Sequence, residues 1–182
     1  MRFLYRIRNW RSELHMLLVK FGAVIGGMLG VLTMYGTLSA KIIRADGTII
    51  DLGPVGMRVV TDAGVAFLVD DWDDDTTDIT NMNFHDSGTG DTGGELAADT
   101  TLETQAGPTT RATGVKSQPS ANILRSVGTI AYTGTLAIVE HGLFSQAAQG
   151  GTLWDRTVFS VINVVNLDSI QFTYDCTLTA GS

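Results

Sequence analysis

Three histidines, His15, His85 and His141, are the side chains whose ordinary titration suits acid–base chemistry near neutral pH. His85, Asp86 and Ser87 follow one another and supply the residue types of a nucleophilic triad. A triad is built in space, however, and neighbours along a strand point to opposite faces. The same alternation separates Glu140 from His141. The sharpest metal hypothesis is that His85 and His141 meet across a sheet and recruit an ion with Asp155. Two histidines and one acid without a spacing signature make hydrogen-bonded or surface histidines the expectation. Asp70, Asp71, Asp73, Asp74 and Asp75 invite calcium, but an EF-hand loop needs glycine at its sixth position and a distant Glu. A solvated acidic turn is expected there. Gly88-Thr-Gly90-Asp-Thr-Gly93 matches the dinucleotide fingerprint in form only. Asp91 and Glu95 would face the phosphates, no clear βαβ unit follows, and no acid lies near position 113 to hold a ribose. These glycines read as turn glycines. Cys176 is the one cysteine, which excludes an internal disulfide and a cysteine-built metal site. No catalytic, cofactor-binding or metal-binding residue is assigned.

The elements that must position these side chains are mostly strands. From Ile170 to Thr179 apolar and polar residues alternate strictly, with Ile170, Phe172, Tyr174, Cys176 and Leu178 on one face. That period of two marks a strand with one face in a core, where Cys176 becomes a small buried hydrophobe. Ile123–Tyr132, Leu136–Phe144 and Leu153–Val165 are similar runs, broken at Thr133-Gly134, Gln149-Gly150-Gly151 and Asn166–Ser169. The middle runs alternate less cleanly, as expected for strands covered on both faces. Upstream, Lys41–Ala45 and Thr48–Leu52 flank Asp46-Gly47, a strong hairpin signal. Met57–Val60 supplies a further strand. Thr61 or Asp62 then caps a short helix whose stripe is Val65, Leu68, Val69 and Trp72, ending near Asp70. Residues 87–118 are rich in Gly, Thr, Ala and Asp and read as a long surface loop with at most a short helix near Glu95–Leu102. The expected fold is mainly β, an antiparallel β-sandwich over residues 38–182 with one short helix. A helical, basic and apolar N-terminal extension covers residues 1–37.

Charge divides the chain. Residues 1–44 hold seven Lys/Arg against one Glu, and residues 45–182 hold five against eighteen acids. The acidic body should repel nucleic acid, leaving the N-terminal segment to attract phosphate or an acidic surface. Phe21–Ala40 is uncharged and just long enough to cross a bilayer, and Gly22, Gly26 and Gly30 fall four apart as in packed membrane helices. Five glycines with Thr33, Thr37 and Ser39 make the run only moderately apolar. A helix packing against partner subunits, a signal segment, or an extension ahead of a start at Met28 or Met34 are the competing readings, and membrane contact through residues 1–40 is not favoured.

Glu140-His-Gly-Leu-Phe144, Gly150-Gly-Thr-Leu-Trp-Asp-Arg-Thr-Val-Phe159 and Asp168-Ser-Ile-Gln-Phe-Thr-Tyr174 together resemble a pattern of tailed-bacteriophage virion proteins. Lys41–Gly47, Arg58–Gly64 and Gly88-Thr-Gly90 fit the same pattern, so the resemblance spans about residues 38–182. It implies a small β-sandwich module of a head, neck or tail, with no catalytic residues to carry over. The front segment departs from the pattern. Phe144, Trp154, Arg156 and Phe159 are then candidate core or interface anchors. The expected function is a non-enzymatic virion structural protein, made in the host cytoplasm, that needs no cofactor. It would form homo-oligomers and dock on other virion proteins as a capsid decoration or a head–tail or tail accessory. A membrane-anchored or exported β-domain and a carbohydrate- or receptor-binding module are the alternatives.

Overall fold

The computed structural model describes residues 14, 17, 18, 20–22, 24–26, 30–73 and 78–180. The sequence readings of Arg2, Arg6, Arg8, Arg11, His15, Met28, Asp74 and Asp75 lie outside the described residues. Among the described residues nine strands form: β1 (Thr33–Ile43), β2 (Ile49–Val60), β3 (Phe84–Gly88), β4 (Ala112–Thr113), β5 (Val115–Ser120), β6 (Ile123–Ala131), β7 (Leu136–Phe144), β8 (Leu153–Val164) and β9 (Ser169–Thr179). Helix α1 (Asp62–Asp73) follows β2, a 3-10 turn covers Ile79–Asn81, and residues 14, 17, 18, 20–22 and 24–26 ahead of β1 are also helical. The protein is mainly β and antiparallel. All nine strands belong to one sheet in the order β4-β3-β7-β8-β2-β1-β9-β6-β5.

That sheet nearly closes on itself. Its two ends, β4 and β5, are separated in sequence by Gly114 alone. β4 pairs with β3 through Phe84↔Thr113 and His85↔Ala112, whereas β5 pairs with β6 through Val115↔Val127 and its neighbours. The Gly114 amide donates to the Asn83 carbonyl at 2.8 Å, and Asn83 Nδ2 donates back to the Gly114 carbonyl at 2.5 Å. The opposite wall is thin, because β2 and β8 share only Val59↔Arg156 and Val60↔Asp155.

Alternation fills the interior. Leu38, Ala40 and Ile42 of β1, Ile130 of β6 and Ile170 and Phe172 of β9 meet Ile138, Phe159, Ile162 and Val164 of β7 and β8 in the main core. The uneven pattern of β7 and β8 has a local cause. Register shifts at Ile138/Glu140 and Leu143/Phe144 switch which parity faces inward. The Asp46-Gly47 hairpin forms between β1 and β2, with Gly47 at φ +84° and its amide bonded to the Arg44 carbonyl at 2.9 Å.

Two expectations need correction. Thr61 does cap α1, its Oγ1 accepting from the Gly64 amide at 2.9 Å. The buried face of α1 is not Val65-Leu68-Val69-Trp72. Gly64, Phe67 and Leu68 turn toward the sheet, while Val65 and Val69 are exposed and Trp72 is 72% exposed. The cause is close approach: a Cβ on Gly64 would sit 2.5 Å from the Trp154 carbonyl oxygen, so the helix rests on β8 along its glycine side. The uncharged run Phe21–Ala40 is likewise not one helix. Thr33–Ala40 is strand, paired with β9 from Thr33↔Thr179 onward. The twelve residues before it would span about 18 Å as a helix, short of a bilayer core of about 30 Å. Among the described residues no helix is long and apolar enough to cross a membrane.

Candidate functional site

β7 places neighbouring residues on opposite sides of the wall, and each side carries a buried polar cluster. Inside, His141 is the middle of a chain of contacts that crosses the near-closed seam. Arg58 of β2 forms an ion pair with Asp155 of β8, both side chains fully buried. Arg58 Nη1 donates to His141 Nδ1 at 2.6 Å. His141 Nε2 lies 3.0 Å from His85 Nδ1, and His85 Nε2 lies 2.7 Å from Ser126 Oγ on β6. Ser126 Oγ reaches Asn83 Oδ1 at 2.6 Å, and Asn83 closes the chain on the Gly114 carbonyl.

A guanidinium has no lone pair to offer, so this chain has one self-consistent direction. Arg58 donates, which puts the His141 proton on Nε2. His141 then donates to His85 Nδ1, which puts the His85 proton on Nε2. Ser126 receives it and donates to Asn83 Oδ1. Both imidazoles are therefore neutral, and each has its one ring lone pair engaged. Burial and the neighbouring Arg58 cation agree with this, lowering His85 to about 3 and His141 well below its usual value. Burial pushes the Asp155 carboxyl up to about 6, opposed by Arg58. The fit is tight: a Cβ on Gly128 of β6 would lie 2.5 Å from His85 Cγ.

Outside, Glu140 organises the long connection between β3 and β4. Its carboxylate accepts from the amides of Gly90 at 3.2 Å, Glu103 at 3.0 Å and Thr104 at 2.9 Å, and from Arg156 Nε at 2.8 Å. Arg156 extends the cluster to Asp99 at 2.8 Å and to the Gly94 carbonyl at 2.7 Å. Nearby, Arg111 bonds Asp86 at 3.2 Å and the carbonyls of Gln146, Ala148 and Gly150, with its guanidinium carbon 3.5 Å from the Phe144 ring centre. Leu102 packs beneath this strap against Phe144 and Leu153. The strap is thus held by ionic clamps, and Glu95–Leu102 is built of turns and bends in place of a helix.

The candidate residues distribute as follows. His85 and His141 do meet, but Asp155 joins them only through Arg58, so the three do not converge on one point. Among the described residues no three His, Cys, Asp or Glu side chains gather where an ion would be held. Asp86 and Ser87 leave His85 in different directions, Asp86 to Arg111 and Ser87 to the Tyr132 hydroxyl at 2.8 Å. Phe144, Trp154, Arg156 and Phe159 are all buried within the chain. Trp154 Nε1 donates to the Tyr174 hydroxyl at 2.8 Å, and Phe159 packs on Phe172 with ring centres 6.1 Å apart. Cys176 is buried and its thiol is pushed up to about 11 by desolvation. Of the fingerprint glycines, Gly90 serves the strap: a Cβ there would meet the Glu103 side chain at 2.6 Å, whereas one on Gly93 would meet nothing within 4 Å.

Sequence reasoning missed Arg58, Asn83, Ser126 and Glu140 as members of these clusters. The available signal was charge inside apolar strands: Arg58 between Met57 and Val59, and Asp155 after Leu153-Trp154. Buried charges of opposite sign demand each other. No protein-family model matches the chain, and no match was found among curated proteins.

Proposed function

We propose that this chain is a non-enzymatic structural protein of a tailed-bacteriophage particle, one that associates with itself and docks on other particle proteins as a capsid decoration or a head–tail or tail accessory. One observation carries the assembly part of this reading: polar groups able to do chemistry are engaged in closing the fold, while large apolar side chains stand on its exterior. Val31, Leu32, Val115, Leu124 and Leu178 are exposed, and Val65, Val69 and Trp72 form an uncovered stripe on α1. The body also supports a protein partner over a nucleic acid. Of its five cations, Arg58, Arg111, Arg125 and Arg156 are in ion pairs and Lys116 donates to the Thr80 carbonyl. Its surplus acids are left to set the outer field.

The particle assignment draws on the sequence resemblance over residues 38–182. A finer description of the fold accompanies it. The thin β2–β8 junction divides the sheet into β4-β3-β7-β8 and β2-β1-β9-β6-β5, which supports a two-layer, sandwich-like arrangement of continuous strands. Mass spectrometry of gradient-purified particles tests the function. The chain should appear at a fixed ratio to the major capsid protein. Its absence from particles that infect normally would overturn the proposal.

A further inference from the structure

Among the described residues, β3 and β6 face each other across the closing seam without sharing a ladder. β3 pairs with β4 and β7, and β6 pairs with β5 and β9. Every second residue along β3 sends a side chain across instead. Asn83 reaches Gly114 and Ser126, His85 reaches Ser126, and Ser87 meets the Tyr132 hydroxyl at 2.8 Å. All five of these side chains are more than nine-tenths buried. The backbone joins at Gly114, whose amide donates to the Asn83 carbonyl at 2.8 Å.

His85 is the one tooth of this zipper that titrates near neutral pH, and its surroundings leave no place for a proton. Four gaps run from Arg58 through His141, His85 and Ser126 to Asn83, and each already holds one hydrogen. An added proton therefore puts two hydrogens into one gap, whichever tautomers the rings adopt. Relief has one direction. Five register pairs, Phe84↔Phe144 to Gly88↔Glu140, hold β3 against β7, and Asp155 holds Arg58. On the β6 side only side-chain bonds and the close-packed Gly128 confine the His85 ring.

The charges around the two rings act in the same sense. Arg58 faces them from β2, with Asp155 of β8 and the Tyr174 ring of β9 against its guanidinium. Phe172 of β9 packs on His141, and β6 presents Ser126 and Gly128. Asp86 and Glu140 lie on the outer side of the wall, paired with Arg111 and Arg156. We propose that the seam is an acid-operated latch, in which His85 takes up a proton only by swinging out between β3 and β6, and Gly114 is then released from Asn83. His141 stays against Arg58 and remains neutral, so opening consumes one proton. Asp155 stays paired in both forms and does not enter the balance. Below about pH 6.5 opening gains about tenfold per pH unit. The latch belongs to the single chain and does not depend on a place in a particle.

The test is residue-resolved hydrogen exchange of the full chain by NMR between about pH 7.5 and about pH 5, each rate divided by the intrinsic rate at that pH. In the wild type the Gly114 amide should lose protection about tenfold per pH unit below about 6.5, ahead of the amides of the β1–β9 ladder. His141→Gln can offer its amide oxygen to Arg58 and its amide nitrogen to His85, and should keep that slope. His85→Gln can keep the bond to Ser126 but takes up no proton, and its Gly114 slope should vanish. Gly114 exchanging in step with the β1–β9 ladder overturns the inference. So does a slope that survives His85→Gln or is lost in His141→Gln. Should either variant fail to fold, the wild-type imidazole nitrogens decide. At about pH 7 the proton of His85 should sit on Nε2 with Nδ1 bare, and a charged or reversed ring refutes the latch.

Discussion

Glu140 and His141 are adjacent on β7, equally buried, and sit in clusters of opposite character. The inner cluster passes through two neutral rings, a hydroxyl and an amide, and runs in one direction from Arg58 to Gly114. The outer cluster is ionic, with Glu140 taking three backbone amides and Arg156 at once. The inner chain joins the two ends of a sheet that hydrogen bonds between strands leave almost closed. The outer clamp fastens an irregular strap whose backbone amides have no ladder to satisfy them. The difference teaches a division of labour: a seam between strands is served by neutral groups of fixed orientation, whereas a loop without its own secondary structure needs charge to collect its donors.

The largest effect should come from the charged foot of the inner chain. Asp155→Ala leaves Arg58 buried without its counter-ion and should cost about 3–5 kcal/mol in urea unfolding. A sharper version replaces both partners. If Arg58 served only to neutralise Asp155, Arg58→Met/Asp155→Leu would restore wild-type stability. Arg58 also donates to His141 Nδ1, so the double variant should remain about 1–3 kcal/mol below wild type. Full restoration would reduce the inner chain to a simple ion pair.

The outer clamp comes next. Glu140→Gln turns an amide donor either toward Arg156 and the Glu103 amide, which share one carboxylate oxygen, or toward the Gly90 and Thr104 amides, which share the other, and should cost about 3 kcal/mol. Its signature is local. Thermolysin should cut at Leu102, now buried under the strap, before the far-ultraviolet signal of the sheet is lost. Simultaneous loss of both signals would show that strap and sheet unfold as one unit. A smaller cost, about 1–3 kcal/mol, is expected for Gly128→Ala, whose methyl group would press on the His85 ring. Gly134→Ala, where nothing lies within 4 Å, is the matched control and should be close to neutral.

How much of this was legible follows from range. The strands β6 to β9 could be read because period-two patterning is local, and Ile170–Thr179 is nearly undisturbed. The α1 stripe was misread because the helix's rotation is set by contact between Gly64 and the β8 backbone, ninety residues away in sequence. The meeting of His85 with His141 was open as a hypothesis. Its neutral, occupied form was not legible, because that depends on Arg58 reaching across from β2, and no spacing along the chain encodes it. The single-sheet closure was hidden for a similar reason. It hangs on β4 and β5 changing partners at Gly114, inside a stretch whose composition reads as loop.

Acid should distinguish the two clusters with the gentlest perturbation. His85 and His141 have folded values depressed below the 6.5 of an exposed ring, so their contribution is fully present above that pH and is lost as pH falls. Each proton taken up only by the unfolded chain removes about 1.4 kcal/mol per pH unit. Asp155 acts in the opposite sense. Its folded value is raised to about 6, so protonation near that pH relieves part of its burial cost and flattens the loss below pH 6. Asp86, also raised by burial, adds to the flattening. The loss of stability should therefore steepen as pH drops through 6.5 and level off near pH 6. His85→Gln, which keeps a donor and an acceptor but does not titrate there, removes one of the two histidine contributions and should lower that slope by more than half. An unchanged slope in His85→Gln, measured as the urea midpoint at a series of pH values, would mean that the folded ring titrates like an exposed one, and a steeper slope that it is held charged; either way the one-way direction of the inner chain would fall.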